Sequence, residues 1–190
     1  PEEYGFYYGW GTDLYAEGYS ANWRYYFQLL GGSDAYYATC DYCGTDKDPL
    51  KDYVGGGSKY SIATEAGVAD GIGGTEWDSA SNAWMGEWRM PTTAEFEELK
   101  EKCDWIWEAR NGVNGYTVKS KINGNSIFLP AAGYCYGTEL RDASKRGHYW
   151  SSSILASFRD IPWSFAFGSS DLGWYGDMRF YGESVRPVTE

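Results

Sequence analysis

The sequence has few basic residues for its length, and this shortage excludes several kinds of partner. It contains 16 lysine and arginine residues against 27 aspartate and glutamate residues, so its formal net charge is −11. Nucleic-acid phosphates are bound by basic surfaces, and anionic lipids attract basic segments. We therefore expect no nucleic-acid partner and no binding to an anionic membrane surface.

Long apolar runs are also missing. A membrane-spanning helix needs about 20 consecutive, mainly apolar residues, and no stretch of this chain approaches that length. No signal peptide is visible either. The chain starts at Pro1, which is not a natural first residue, so we expect that a leader or a first strand precedes it. Direct membrane insertion is not expected.

Histidine occurs once, and this restricts the catalytic mechanisms that are open to the chain. A serine–histidine triad would have to use His148, but no Gly-x-Ser-x-Gly motif accompanies it, and the serines at 151–153 fit a strand better. Paired carboxylates for glycoside hydrolysis stay open, because 27 acidic residues leave some pair within reach, yet no pair stands out. We therefore expect no catalytic residues and a protein that is not an enzyme.

The four cysteines do not form a recognisable metal or redox motif. Cys40 and Cys43 have a C-x-x-C spacing that fits a redox pair, half of a zinc site, a local disulfide or two unpaired thiols. Their turn-like surroundings, DYCGTDKDP, favour a structural or unpaired role, because a redox pair should open a helix. A zinc site would need Cys103, which is most simply a small core residue, and Cys135 in a loop, with His148 as the only spare ligand.

Other metal and cofactor patterns are absent too. The aspartates at 41, 46, 48 and 52 lack the spacing, the glycine and the closing glutamate of a calcium loop, so a solvated loop is the better interpretation. The glycine-rich stretches at 55–57 and 71–74 lack the Gly-Lys-Ser/Thr ending of a phosphate loop. We expect no metal ligands and no cofactor.

Aromatic residues and glycine are abundant instead. Phe, Trp and Tyr make up 19% of the chain, and 25 of its 190 residues are glycine. Many short strands with aromatic packing and glycine turns fit this composition better than a helical bundle does. The length predicts a single domain over residues 1–190.

The segment 84–107 predicts a helix that leads directly into a strand. Thr92 is the expected N-cap, and Glu95 can close a capping box. Phe96, Leu99 and Cys103 form a narrow apolar stripe at helical spacing, while charged residues occupy the other positions. After Cys103 the pattern changes to alternation, with tryptophans at 105 and 107. These features predict an α+β domain.

Short strands are predicted on both sides of this unit. The first ten residues predict a strand at a sheet edge, residues 19–30 fit a short helix or a strand, and residues 31–74 predict long connections with little regular structure. Asn-Gly pairs at 111–112 and 123–124 favour tight turns. The strands predicted after the helix are Trp105–Arg110, Tyr116–Lys121, Ser126–Pro130, Tyr149–Ser153, Trp163–Phe167, Trp174–Phe180 and Ser184–Val188.

Several long motifs carry a resemblance to a known family. They are PEEYGFYYGW at the start, DSASNAWMGEWRMPTTAEFEEL, NGVNGY, NGNSIFLPAAGY, YWSSS and SVRPV, in this order over nearly the whole chain and weakest between about 11 and 75. Together they resemble the Fibrobacter succinogenes major paralogous domain, a family of gut bacteria related to the C-type lectin and formylglycine-generating-enzyme folds. The resemblance implies a C-type lectin-like fold, and that family has a further strand ahead of the PEEYG motif.

The resemblance also bears on function. Some members of this fold superfamily are variable proteins of diversity-generating retroelements, found in bacteria and phages, which present randomised residues on a rigid scaffold. The related formylglycine-generating enzymes use cysteines in their C-terminal part, where this chain has only Cys135. The sugar-site triplets of calcium-dependent lectins, Glu-Pro-Asn and Gln-Pro-Asp, are absent here. The resemblance therefore implies recognition by a variable surface rather than catalysis.

The composition of residues 132–185 supports a ligand-binding region on physical grounds. Aromatic residues interleaved with charged residues on loops are typical of binding surfaces. The candidate ligand-binding residues are Tyr136, Glu139, Arg141, Asp142, Lys145, Arg146, His148, Leu155, Phe158, Arg159, Asp160, Trp163, Phe165, Asp171, Trp174, Tyr175, Asp177, Met178, Phe180 and Glu183. Trp163, Phe165 and Phe167 fit the core and the surface equally well, whereas the ring residues at 174, 175 and 180 are expected to be exposed.

The function predicted from the sequence is recognition without catalysis. The expected partner is a protein or glycan ligand on a cell surface, and the expected location is extracellular, on a cell surface or a virion. The alternative is a structural surface module whose aromatic residues pack against a neighbouring domain or another copy. The sequence leaves the oligomeric state open.

Overall fold

Strands predominate in the structure, a computed structural model that describes residues 4–10, 15–17, 71–75, 78–84, 86–136, 139–155, 158–177 and 181–189, without the side chains of 15–17 and 158–160. These ranges contain two short helices and ten strands, and every sheet is antiparallel. The predicted α+β class is therefore confirmed. Neither of the described helices has the length and apolar character to cross a membrane.

The elements follow one another mainly as hairpins. They are β1 (Phe6–Tyr8), β2 (Tyr15–Glu17), α1 (Ser79–Trp84), α2 (Thr93–Lys102), β3 (Cys103–Arg110), β4 (Val113–Ser120), β5 (Ser126–Pro130), β6 (Tyr134–Tyr136), β7 (Glu139–Arg141), β8 (Gly147–Leu155), β9 (Phe158–Phe167) and β10 (Leu172–Gly176). The sheets have the strand orders β1-β2, β3-β4-β5, β6-β7 and β10-β9-β8.

Helix α2 begins as the sequence predicts. The Thr92 hydroxyl accepts a hydrogen bond from the Glu95 amide at 3.2 Å, and the Thr92 amide donates to the Glu95 carboxylate at 2.8 Å. Arg89 donates two further bonds of 2.8 Å to the same carboxylate. The capping box is thus confirmed, and a guanidinium on the preceding segment reinforces it.

The sheet β3-β4-β5 confirms the predicted alternation and the first tight turn. The indole rings of Trp105 and Trp107 pack into the core, whereas Ile106 between them is 48% exposed. Asn111 and Gly112 join β3 to β4 with φ angles of 50° and 83°, which suits a turn with two left-handed residues. Because this turn is so short, β4 begins earlier than predicted, at Val113.

The sheet β10-β9-β8 contains the serines of 151–153 within β8, as predicted. The predicted strand Trp174–Phe180 has different bounds, since β10 runs from Leu172 to Gly176 and residues 178–180 lie outside the described ranges. The predicted final strand Ser184–Val188 is wrong. Its two ends make isolated bridges to different partners, Tyr149 and Arg89, and Pro187 has no amide hydrogen to extend a ladder.

The main core lies between α2 and the two three-stranded sheets. Phe96 of α2 stacks on Phe165 of β9 with ring centroids 5.0 Å apart, and Tyr116, Leu129 and Phe167 belong to the same buried cluster. Full burial of one such side chain contributes about 1.5–3 kcal/mol. The helix stripe predicted from Phe96 therefore faces the core.

The first strand is tied to the C-terminal half of the chain. The Trp150 indole donates to the Tyr8 carbonyl at 2.7 Å, and the Trp10 indole donates to the Ser151 carbonyl at 2.8 Å. Tyr8 also forms an antiparallel bridge with Glu183. The predicted first strand is confirmed as β1, and it stabilises the segment that carries Glu183.

The predictions for residues 18–70 lie outside the described residues, including Cys40, Cys43 and the four aspartates. Cys103 is a free thiol. Cys103 lies half-buried at the start of β3 and packs against the main core. Cys135 is not in a loop as predicted: it lies within β6, where burial raises the pKa of its thiol to about 12.

Candidate binding surface

The pairing of β8, β9 and β10 divides the candidate residues between two faces of one sheet. Phe165 of β9 lies opposite Tyr149 of β8 and Trp174 of β10, so these three side chains share one face. Ser164 lies opposite Tyr175, and both point to the other face. The sheet thus separates residues that the sequence placed in one group.

The face toward α2 packs against the helix, and its central residue is buried. Phe165 is fully buried, so it belongs to the core. Trp174 was expected to be exposed, but it is half-buried because its ring contacts Phe96 and Phe165 and its indole donates to Glu97. Trp163 is half-buried against Trp174, with centroids 6.1 Å apart.

The opposite face carries a charged group around Tyr175, which is 44% exposed. Arg146, in the segment before β8, donates to Asp171 at 2.6 Å and to the Tyr175 hydroxyl at 3.3 Å. Its guanidinium also lies 5.7 Å from the centre of the Tyr175 ring. The β9–β10 connection and the segment before β8 therefore meet at one exposed point.

A second group lies on the β6-β7 hairpin. Arg141 stacks over the Tyr136 ring at 4.3 Å and donates to Glu139 at 2.9 Å. Tyr136 in turn contacts the ring of Tyr181, at 5.2 Å between centroids, and Tyr181 stacks on Tyr134 at 5.6 Å. The group is half-buried at its tyrosines and exposed at Arg141 and Glu139.

His148 joins the two groups into one continuous row of contacts. Its ring lies 4.7 Å from that of Tyr134 and 6.3 Å from that of Tyr175. We call this row the recognition strip. It consists of Glu139, Arg141, Tyr136, Tyr181, Tyr134, His148, Tyr175, Arg146 and Asp171.

The other candidate residues lie at different depths. Asp142 and Lys145 are exposed in the connection between β7 and β8, next to the strip in sequence, and Leu155 is half-buried at the end of β8. Glu183 is fully buried, so it cannot touch a ligand at the surface. No side-chain placement is described for residues 158–160, 178 and 180.

Beneath the strip, His148 meets two carboxylates. The His148 Nδ1 atom lies 3.7 Å from Asp177 Oδ2 and 4.0 Å from Glu183 Oε1. His148 is 9% exposed and Glu183 is 0% exposed. Burial raises the pKa of Glu183 well above its usual range, and the charge of Asp177 adds to this effect.

Several polar atoms of this cluster have no hydrogen-bond partner within the described part of the protein. They are both ring nitrogens of His148, Oδ2 of Asp177 and Oε1 of Glu183. The other Glu183 oxygen accepts a 2.6 Å bond from the Ser164 hydroxyl, which fixes the carboxylate in the cluster. One imidazole and two carboxylates can bind a cation or share protons.

Tyr134 and Tyr181 were missed by sequence reasoning, although they link the two halves of the strip. A signal for Tyr134 was present: in the run Tyr134-Cys135-Tyr136 the apolar cysteine takes the buried position, and strand alternation then turns both tyrosines to the other face. Tyr181 had no such signal, because it lies outside the strands β1 to β10 and no alternation pattern therefore assigns its side chain to a face.

A separate cavity of about 460 Å³ lies beside β1 and was also missed. Its lining includes Phe6, Trp84 and Trp88, which are 39%, 43% and 41% exposed. Partly exposed aromatic rings around a cavity are suited to packing against an apolar or sugar surface.

The chain matches no protein-family model, no curated protein and no solved structure.

Proposed function

We propose that this protein is a non-catalytic recognition protein that binds a protein or glycan ligand through the recognition strip. The observation that carries the proposal is the strip itself, in which nine side chains from separate segments make one unbroken row of contacts with exposed charged residues at both ends. Tyrosine supplies large contact area at low entropic cost, and arginine supplies directed hydrogen bonds.

The scaffold that we propose is C-type lectin-like and similar to the Fibrobacter succinogenes major paralogous domain. Its support is the order of the sequence motifs together with an antiparallel α+β fold. On this proposal the protein acts outside the cell, at a cell surface or on a virion.

We further propose that a retroelement diversifies the strip. Glu139, Arg141 and Asp171 lie near strand ends and point to solvent, whereas the frame beneath them is buried. Substitutions at such exposed positions usually change stability by no more than about 0.5 kcal/mol. The scaffold could therefore tolerate variation in the strip without losing its fold.

Binding through the strip is tested with a triple variant, Arg141→Ala, Arg146→Ala and Tyr175→Ala. The unaltered protein and the triple variant are tested against a panel of bacterial glycans and cell-surface proteins, and affinities are measured by biolayer interferometry. For any ligand of the unaltered protein we expect the variant to lose at least about 30-fold in affinity, since Tyr and Arg hot spots contribute about 2 kcal/mol or more.

The matched control replaces three exposed residues away from the strip, Glu101, Lys119 and Ile122, with alanine. The control should keep its affinity, and both variants should keep a melting temperature close to that of the unaltered protein. Equal affinity for the triple variant and the unaltered protein would contradict the proposal. Trp174 is left unchanged, because its loss would disturb the core.

The cavity beside β1 favours a second candidate function, a structural surface module. Three partly exposed aromatic rings around one cavity can pack against another domain or copy. Two results together would favour this candidate over recognition. The protein would self-associate in analytical ultracentrifugation and Trp88→Ser would abolish the self-association, while the triple variant of the strip would bind every ligand that the unaltered protein binds.

A further inference from the structure

The strongest chemical feature beneath the recognition strip is the cluster of His148, Asp177 and Glu183, of which His148 is also a member of the strip. Their ligand atoms, one from each side chain, all lie within 4.8 Å of one another. The three residues come from β8, from the end of β10 and from the C-terminal segment. Sequence patterns predict no metal ligands here, because no short motif contains these residues.

We propose that His148, Asp177 and Glu183 bind a divalent transition-metal ion, for which Zn²⁺ is the most suitable probe. Imidazole nitrogen suits zinc and its neighbours in the first transition row, and carboxylate oxygens complete common zinc sites. Calcium fits less well, because it prefers six to eight oxygen ligands. The proposal goes beyond ligand recognition and does not depend on it.

The spacing of the donor atoms fits a single ion. Zinc bonds to nitrogen and oxygen are about 2.0–2.2 Å long, so two donors of one ion lie at most about 4.4 Å apart. The distances from His148 Nδ1 to the two carboxylate oxygens, 3.7 and 4.0 Å, are below this limit. They are too long for direct hydrogen bonds.

The unpaired atoms provide an independent argument. Glu183 is fully buried, and its Oε1 atom has no partner among the described residues although it faces His148. A buried carboxylate oxygen without a partner is costly, and native proteins rarely retain one without a reason. A cation between the three side chains would satisfy the unpaired atoms of both carboxylates and of His148 Nδ1 together.

The surroundings of the cluster have the features of a supported metal site. The Ser164 hydroxyl holds the second oxygen of Glu183, and hydrogen bonds of this kind orient metal ligands. The Tyr134 ring lies against His148 and restrains the imidazole. A bound ion would fasten β8, the end of β10 and the C-terminal segment to one another beneath Tyr175.

The test measures zinc binding by the whole chain after removal of metals with EDTA. In a competition titration with a chromophoric chelator, we expect one equivalent of Zn²⁺ with a submicromolar Kd, and a melting temperature that rises on addition of Zn²⁺. Asp177→Asn and Glu183→Gln preserve shape and should each lower the affinity at least about 100-fold, since loss of an outer-shell partner alone costs 10–100-fold.

Two controls make the assignment specific. Asp171→Asn removes an exposed carboxylate from the strip and should leave the zinc affinity unchanged. The double variant Cys40→Ser and Cys43→Ser should still bind one equivalent of zinc. Co²⁺ bound in place of zinc should show no sulfur-to-cobalt charge-transfer band. Circular dichroism confirms that each variant is folded.

The proposal is overturned by any of three results. The first is that the unaltered protein binds no zinc. The second is that the two carboxylate variants bind zinc with the affinity of the unaltered protein, and the third is that the cysteine variant no longer binds zinc. Absence of zinc binding together with a higher melting temperature for Glu183→Gln would show that the cluster is instead a pair of carboxyl groups that share a proton.

Discussion

The carboxylates of Asp78 and Glu183 are both fully buried, but their oxygens are satisfied to different degrees. The oxygens of Asp78 accept 2.8 Å bonds from the amides of Gly74, Ala80 and Met90, so this residue begins α1 and holds three segments together. Among the described residues, one oxygen of the Glu183 carboxylate accepts a bond from Ser164 and the other has no hydrogen-bond partner. Asp78 is thus satisfied within the fold, whereas the partly satisfied carboxylate of Glu183 is the observation behind the proposed metal site.

A pH effect is expected at Glu95. The hydrogen bonds from Arg89, with smaller help from Thr92, lower the pKa of Glu95 from its ordinary 4.5 to about 2. Because the pKa is lower in the folded protein, the stabilisation is complete above about pH 4.5 and is lost as the pH falls toward 2. We predict that urea unfolding shows a smaller loss for Glu95→Gln than for the unaltered protein, because other carboxylates with a lowered pKa, such as that of Glu108, still contribute.

The control for this prediction is Glu101→Gln, which changes an exposed residue of the same helix. It should show the same fall in unfolding free energy between pH 4.5 and 2 as the unaltered protein. If Glu95→Gln also follows that curve, then the Arg89–Glu95 pair does not contribute as described.

At the level of elements, the packing of β8 on β9 depends on Gly147. A Cβ atom at this position would lie 2.2 Å from the ring of Phe167, which is itself fully buried and cannot move aside. We predict that Gly147→Ala lowers the free energy of unfolding by about 1–3 kcal/mol, the usual cost of overpacking. Chemical denaturation measures this directly.

Gly173 on the edge strand β10 provides the matched control. A Cβ atom there would meet only Tyr175, at an ordinary 3.8 Å, so Gly173→Ala should be neutral or slightly stabilising. Similar losses for the two variants would show that the close contact at Gly147 is not what limits substitution.

The elements around α2 could be predicted because their signals are local. Thr92 and Glu95 lie three positions apart, and one Asn-Gly pair sets the β3–β4 turn, so short windows of sequence contain the whole cause. The predicted strand at Ser184–Val188 failed for the opposite reason. Its composition gave only a strand propensity, and its actual partners lie in distant segments around Tyr149 and Arg89.

The candidate site could be predicted only in part. Composition pointed to residues 132–185, where the recognition strip lies, yet it could not decide which face of β9 and β10 each residue occupies. That assignment depends on register, which places Phe165 and Trp174 against α2 and leaves Tyr175 outside. The cluster of His148 with Asp177 and Glu183 depends on three separate segments meeting, so no window of sequence contains it.

At the scale of the whole molecule, the first and last described segments support the same surface. The bridge between Tyr8 and Glu183 places the N-terminal strand directly under the strip, and Trp150 reinforces it through its bond to the Tyr8 carbonyl. The result is a row of side chains that is exposed at both ends and is supported by segments distant in the sequence. Such an arrangement separates the residues that can vary from those that cannot.

Sequencing of this gene across many cells or phages from its source tests the proposal of a variable recognition surface most directly. We predict that substitutions concentrate within 132–185 at exposed positions, while residues 88–107 and the buried Trp150 and Phe165 stay fixed. The positions expected to vary are Glu139, Arg141, Asp142, Lys145, Asp171 and Tyr175. Variation that is low and evenly spread, or that is as frequent at buried positions as at exposed ones, would contradict the proposal.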